Sequence, residues 1–145
     1  MAATLHGSSY ATFDIDVVPD SDLANLARLS DALVSLQARV RSSDAVDGLN
    51  FEHDAASLRR AEIWNLQTRY GDLDLVMRPA GTAGYKDLDR DAQTIKLGPV
   101  EVRIASLADV IRSKEAAGRE KDRVTLPGLR RLLGAATREG RLPAG

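Results

Sequence analysis

The chain of 145 residues has no cysteine and two histidines, His6 and His53. The missing thiols exclude a disulfide framework and any thiolate metal centre. With imidazole so scarce, oxygen donors remain, and these suit hard cations such as magnesium. Aromatic residues are 4% of the chain, too few for a platform on which successive bases of a single strand could stack. No window approaches the roughly eighteen consecutive apolar residues of a membrane span. The start, Met1 to His6, has neither a basic n-region nor a long apolar run, so the sequence predicts a cytoplasmic protein with no membrane partner. The 43% hydrophobic content allows one domain, 1–145, which would bury roughly two-thirds of its unfolded surface in a modest core.

The net charge of −1 conceals an asymmetry: Arg112 to Arg141 holds nine Lys and Arg against four acids, and what precedes it is net acidic. A polyanion could dock on the basic stretch, and a solvated helical face explains it equally well.

Thr12 to Val18 alternates, with Phe13, Ile15 and Val17 on one side and Asp14 and Asp16 on the other, which predicts a half-buried strand ended by Pro19. From an N-cap at Asp20 or Ser21, Leu23, Leu26, Leu29, Leu33, Leu36 and Val40 recur at helical spacing, so an amphipathic helix is expected to run to about Val40. Arg41 to Leu58 is polar and mixed and reads as a loop. Ile63–Thr68 and Leu73–Met77 read as a hairpin turned through Tyr70-Gly71, with Asp72 and Asp74 on one side of the second strand. Thr94–Leu97 and Val100–Ile104 flank Gly98-Pro99 as a second hairpin. A helix is expected from Ser106, with Asp109 three residues on in a capping-box-like start, and Gly118 interrupts it. A last helix is expected from Thr125, with Leu126, Leu129, Leu132, Leu133 and Ala136 inward. The fold class this predicts is α+β, a small mixed sheet with helices packed on it.

Phosphoryl and nucleotidyl transfer require cations on the phosphates and a nucleophile held in line. Carboxylates at i and i+2 of a strand leave the same face with alpha carbons about 6.6–6.8 Å apart, so they can bracket one ion or two ions roughly 3.5–4 Å apart. Upstream, Gly7-Ser8-Ser9 is small enough for backbone N–H groups and hydroxyls to approach a triphosphate. Asp-x-Asp is common by chance, and Gly-Ser-Ser is more often a plain turn. Their order along the chain, followed by Asp74 within the apolar run Leu73 to Val76, is more informative. A third acid beside two others is costly unless a cation neutralises the group. An edge-strand residue facing water remains an equally good reading of Asp74.

The run from Leu5 to Pro19, with His6-Gly7-Ser8-Ser9 and Asp14-Ile15-Asp16, resembles the signature of the polymerase-beta-like nucleotidyltransferase superfamily, especially its small bacterial members related to the AbiEii-type toxins. Tyr70-Gly71-Asp72-Leu73-Asp74-Leu75-Val76 resembles that group's third-carboxylate strand. Ser106 to Asp122, with Lys114, Arg119, Lys121 and Asp122, resembles its C-terminal helix motif. The resemblance implies that Gly7 and Ser8, with Ser9 beside them, contact the triphosphate. It implies that Asp14, Asp16 and Asp74 hold magnesium or manganese, and that Asp74 also takes the proton of the attacking hydroxyl. Lys114 would face phosphate as a compact charge, with Arg119 and Lys121 as further phosphate or acceptor contacts. Asp122 would pair with a neighbouring cation. On residue pattern alone Lys114 reads as a surface lysine and His6 as a helix-end histidine.

Members of that group carry a strand and a glycine pair ahead of the helix ending in His-Gly-Ser, and this chain begins within that helix. The expectation is therefore either an upstream extension or a sheet lacking its N-terminal strand, whose exposed edge would favour a homodimer or a protein partner. The activity implied is transfer of a nucleoside monophosphate from a nucleoside triphosphate to a hydroxyl, by the toxin of a toxin-antitoxin pair acting on the 3′ end of a transfer RNA. Its alternatives are a non-catalytic nucleotide- or partner-binding module of the same fold, and an unrelated domain whose acids merely face solvent.

Overall fold

The computed structural model describes residues 2–7 and 14–140, the side chains of Thr4 and Asp14 excepted. In chain order its elements are α1 (Ala2–Leu5), β1 (Asp14–Val17), α2 (Leu23–Ser35), β2 (Arg39–Ser42), β3 (Ala45–Leu49), α3 (Ala55–Arg60) and β4 (Ile63–Thr68). There follow β5 (Gly71–Val76), α4 (Tyr85–Asp89), β6 (Gln93–Leu97), β7 (Val100–Ile104), α5 (Leu107–Ala117) and α6 (Glu120–Arg138). The class is α+β, as expected. The chain forms two compact units, Phe13–Arg78 and Met1–Thr12 with Pro79–Gly145.

The first unit is built on a mixed five-stranded sheet in the order β1-β5-β4-β2-β3, in which β1 and β5 are parallel and the other pairs antiparallel. Its core is leucine: Leu33, Leu58, Leu66 and Leu75 are fully buried, and Val17, Leu29, Val40, Phe51, Trp64 and Leu73 pack against them. Each buried leucine contributes about 1.5–3 kcal/mol relative to leaving it exposed. Trp64 Nε1 donates to Leu58 O at 3.0 Å, so the indole enters the core with its one donor satisfied. The β4–β5 hairpin forms where the alternation predicts it, with Leu66 paired to Leu73 and Asn65 to Asp74.

Two expectations for this unit are corrected. α2 is capped by Asp22, whose side chain accepts from Ala24 N and Asn25 N, and it ends at Ser35 rather than near Val40. Gln37 N–H reaches Val34 O and Ala38 N–H reaches Leu33 O, both at 3.0 Å, which is a Schellman cap with Gln37 at φ 54. Glycine or asparagine usually marks that position, and a glutamine there gives the sequence no stop signal. Arg39 and Val40 thus belong to β2.

The expected loop from Arg41 to Leu58 is instead the β2–β3 hairpin followed by α3. The strands are short, and the pairing slips between Val40 and Ser42, so no clean alternation survives. Gly48 sits at φ +70, where a Cβ would lie 2.8 Å from Val40 O; the hairpin needs a glycine there. α3 opens on a capping box in which Asp54 accepts from Ser57 N (2.7 Å) and Ser57 Oγ accepts from Asp54 N (2.8 Å). Serine replaces the Glu or Gln that normally betrays this motif.

In the second unit, Leu107, Ile111, Leu126 and Leu129 join α5 to α6, with Ala3, Val110, Leu132 and Leu133 packed against them. Ser106 caps α5, accepting from Asp109 N (3.1 Å) while its hydroxyl donates to Asp109 Oδ2 (2.9 Å). β6 and β7 form the expected hairpin through Gly98-Pro99. α6 begins at Glu120 rather than Thr125. Thr125 lies inside the helix, where its hydroxyl donates back to the Lys121 and Asp122 carbonyls, and Pro127 is accommodated further along.

Candidate carboxylate site

Parallel pairing sets Asp14 opposite Asp72, Ile15 opposite Leu73, Asp16 opposite Asp74 and Val17 opposite Leu75. Paired residues on parallel neighbours share a face, with strands about 4.8 Å apart. Since Val17, Leu73 and Leu75 line the core, alternation turns Asp16, Asp72 and Asp74 to the opposite face. That face continues onto β4 through Asn65, paired to Asp74, and Gln67, paired to Asp72. The acids are thus gathered by register: the same pleat that sends the leucines inward sends the carboxylates outward.

A residue from the expected loop completes the arrangement. Arg41 at the end of β2 donates Nη1 to Asp72 Oδ2 at 2.8 Å and Nη2 to Asp74 Oδ1. The side chains of Arg41, Asp72 and Asp74 are 28%, 40% and 15% exposed, so Asp74 is the most enclosed member. Sequence reasoning missed Arg41; its signal was the polar–apolar–polar run Arg39-Val40-Arg41. Beside it lies an open hollow of about 510 Å³ lined by Arg41, Ser42, Ser43, Asn65, Gln67 and Asp72.

Among the described residues no three His, Asp or Glu side chains are grouped as a metal cage. Magnesium does not demand one, because it is commonly held by one or two carboxylates together with water and substrate phosphate. The neighbouring carboxylates Asp16 and Asp74 offer the right donor type, and the attraction of this face for a positive charge is visible in Arg41. The Asp14 side chain, expected as a further ligand, lies outside the described residues, as do Ser8 and Ser9. Gly7 follows α1 at φ 94 and is exposed. His6 Nε2 donates to Ala105 O at 2.9 Å, a helix-end tether.

The basic residues of the last motif form a different kind of cluster in the second unit. Asp122 is fully buried, and it receives Lys114 Nζ at 3.1 Å and Arg119 Nε at 2.7 Å. Burial pushes the Asp122 carboxyl up, but hydrogen bonds from Arg119 and Lys114, with their charges, outweigh it and hold the group below the usual carboxylate range. The pairing expected of Asp122 is present, and it engages Lys114 itself. Lys121 is exposed.

No family model matches this sequence, and no curated protein matches it. Among the described residues no helix is long and apolar enough to cross a membrane.

Proposed function

We propose that the chain is a metal-dependent nucleotidyltransferase that moves a nucleoside monophosphate from a nucleoside triphosphate to a hydroxyl acceptor. The observation that carries this reading is the register of β1 on β5, which makes Asp16 and Asp74 neighbours on the solvent face of the sheet. The resemblance of the Asp14-Ile15-Asp16 and Asp72-Leu73-Asp74 runs to nucleotidyltransferase strands supports it. A divalent cation bound there would neutralise phosphate charge. Asp16 and Asp74 would hold it, together with Asp14, and Asp74 would accept the proton of the attacking hydroxyl. The acceptor oxygen then forms a bond to the α-phosphorus as the bond to the β-phosphate oxygen breaks and pyrophosphate leaves. The proposed setting is a cytoplasmic toxin with a cognate antitoxin, and the proposed acceptor is the 3′ end of a transfer RNA, whose backbone the Arg112–Arg141 stretch suits.

The test is incubation of the purified protein with labelled nucleoside triphosphates, magnesium or manganese, and total RNA. Label transfer that is lost in Asp16→Asn is the expected result. Absence of transfer, or an Asp16→Asn variant as active as the parent, would reject the enzymatic reading. One observation favours a second reading: Arg41 already occupies Asp74, as it would in a binding module that has given up turnover. Cation-dependent nucleotide binding without product from RNA would select that alternative.

A further inference from the structure

Three features make Arg41 more than a structural partner. It bridges two carboxylates of β5 from β2, with β4 lying between them. One of its partners, Asp74, is the acid that the proposed function assigns to the divalent cation. The guanidinium is partly exposed and borders the open hollow with Ser42, Ser43, Asn65 and Gln67, so it has space and alternative polar neighbours if it leaves the carboxylates.

We propose that Arg41 is a tethered counter-ion that competes with divalent metal for Asp74, so that metal binding requires the guanidinium to be displaced from that carboxylate. Asp16, Asp72 and Asp74 outnumber Arg39 and Arg41 among the described charges of this face, Arg41 being the one that pairs with Asp72 and Asp74, and adjacent carboxylates repel unless a cation stands between them. A guanidinium satisfies two carboxylates at once through its planar fork. A divalent ion brings twice the charge in a smaller volume, but it must take oxygen lone pairs that Arg41 uses and accept a positive neighbour within a few ångströms. Arg41 thereby weakens intrinsic metal affinity. A nucleotide strengthens binding in two ways: its phosphates supply further ligands to the metal, and they offer the displaced guanidinium an anionic partner in the hollow. The metal and the nucleotide then bind cooperatively, because each removes a cost from the other. This inference rests on the proposed nucleotidyltransferase reading.

The experiment measures manganese binding without any turnover, by the electron paramagnetic resonance signal of free Mn²⁺ titrated with the full chain. Wild type, Arg41→Gln and Arg41→Lys are compared, with Asp74→Asn added to the Arg41→Gln background. The expected result is tighter Mn²⁺ binding by Arg41→Gln, on the order of tenfold, and an intermediate gain for Arg41→Lys, whose single ammonium cannot grip both carboxylates. Asp74→Asn should abolish the gain. Arg41→Lys keeps a cation on this face and serves alone if Arg41→Gln does not fold. Wild type that binds Mn²⁺ with variants no tighter would overturn the competition and leave the nucleotidyltransferase reading standing. Failure of wild type and variants alike to bind Mn²⁺ would overturn both.

Discussion

Two clusters of charge in this protein use the same residue types to opposite effect. On the sheet face, Asp16, Asp72 and Asp74 crowd together with Arg41 as their cation, and every member keeps some contact with solvent. Between α5 and α6, Asp122 is fully buried, and two cations, Lys114 and Arg119, converge on it. The first cluster has anions in excess and room around it; the second has its anion fully engaged and sealed. Excess charge on an accessible face is the condition for recruiting an ion or a charged substrate, whereas a sealed and satisfied pair locks two helices together. Lys114, the residue expected to face phosphate, has a partner within its own unit.

The largest effect expected from this contrast is on the proposed transfer activity. Asp74→Asn keeps an oxygen to accept from Arg41 but removes the charge, so it should lower nucleotidyl transfer by about 10³-fold, the order seen when one preorganised charge-stabilising group is lost. Stability should change by no more than about 1 kcal/mol, since the pair is partly solvated. Steady-state assays alongside urea denaturation check both. An Asp74→Asn variant that unfolds while its folded fraction stays active would invert the comparison and make this the structural cluster.

Asp122→Ala should do the reverse. Removing the buried anion breaks its charged hydrogen bonds to Lys114 and Arg119, which, since both cations are partly exposed and regain water, costs roughly 1.5–3 kcal/mol. Urea midpoints measure this directly. If the loss is under about 1 kcal/mol, the cluster is as soft as a surface pair and Lys114 is available for other work.

A smaller, pH-linked effect follows from the same residue. The folded-state pKa of Asp122 lies below its ordinary value because Arg119 and Lys114 outweigh the burial that raises it. A depressed carboxylate contributes stability that is complete above the unfolded pKa, about 3.9, and is lost as pH falls through the folded value. Wild type should therefore lose stability on acidification below about pH 4 more steeply than Asp122→Asn. Denaturation midpoints at pH 5 and pH 3 would show it, and parallel curves for the two proteins would mean that Asp122 is not the linked group.

The sequence made the sheet face legible wherever period-two alternation was long enough: β4 and β5 were expected with nearly their observed bounds, and the outward placement of Asp72 and Asp74 followed from the inward placement of Leu73 and Leu75. It did not expose Arg41, because β2 is short and its pairing slips between Val40 and Ser42. Nor could it show which cation pairs with Asp122, since the spacing of Lys114, Arg119 and Lys121 along the chain ranks none of them and only the packing of α5 on α6 does. The helix ends differ for a related reason. α5 stops at Gly118, φ 61, whose N–H bonds Lys114 O, and that glycine is readable. α2 stops at Gln37, φ 54, and that glutamine is not.

This last difference gives the smallest and cleanest test of how the two units close their helices. A left-handed conformation costs a side-chain-bearing residue about 1–2 kcal/mol, while a glycine adds unfolded-chain entropy that takes back about 0.4–1 kcal/mol. Gln37→Gly should therefore stabilise the protein by about 0.5–1 kcal/mol, and Gly118→Ala should destabilise it by a similar amount, both read from urea midpoints at unchanged m-value. If Gln37→Gly were neutral or harmful, the glutamine side chain must be contributing contacts that offset its backbone strain. The end of α2 would then be held by packing rather than by its cap, and the early stop that places Arg39 and Arg41 on β2 would be set by tertiary structure.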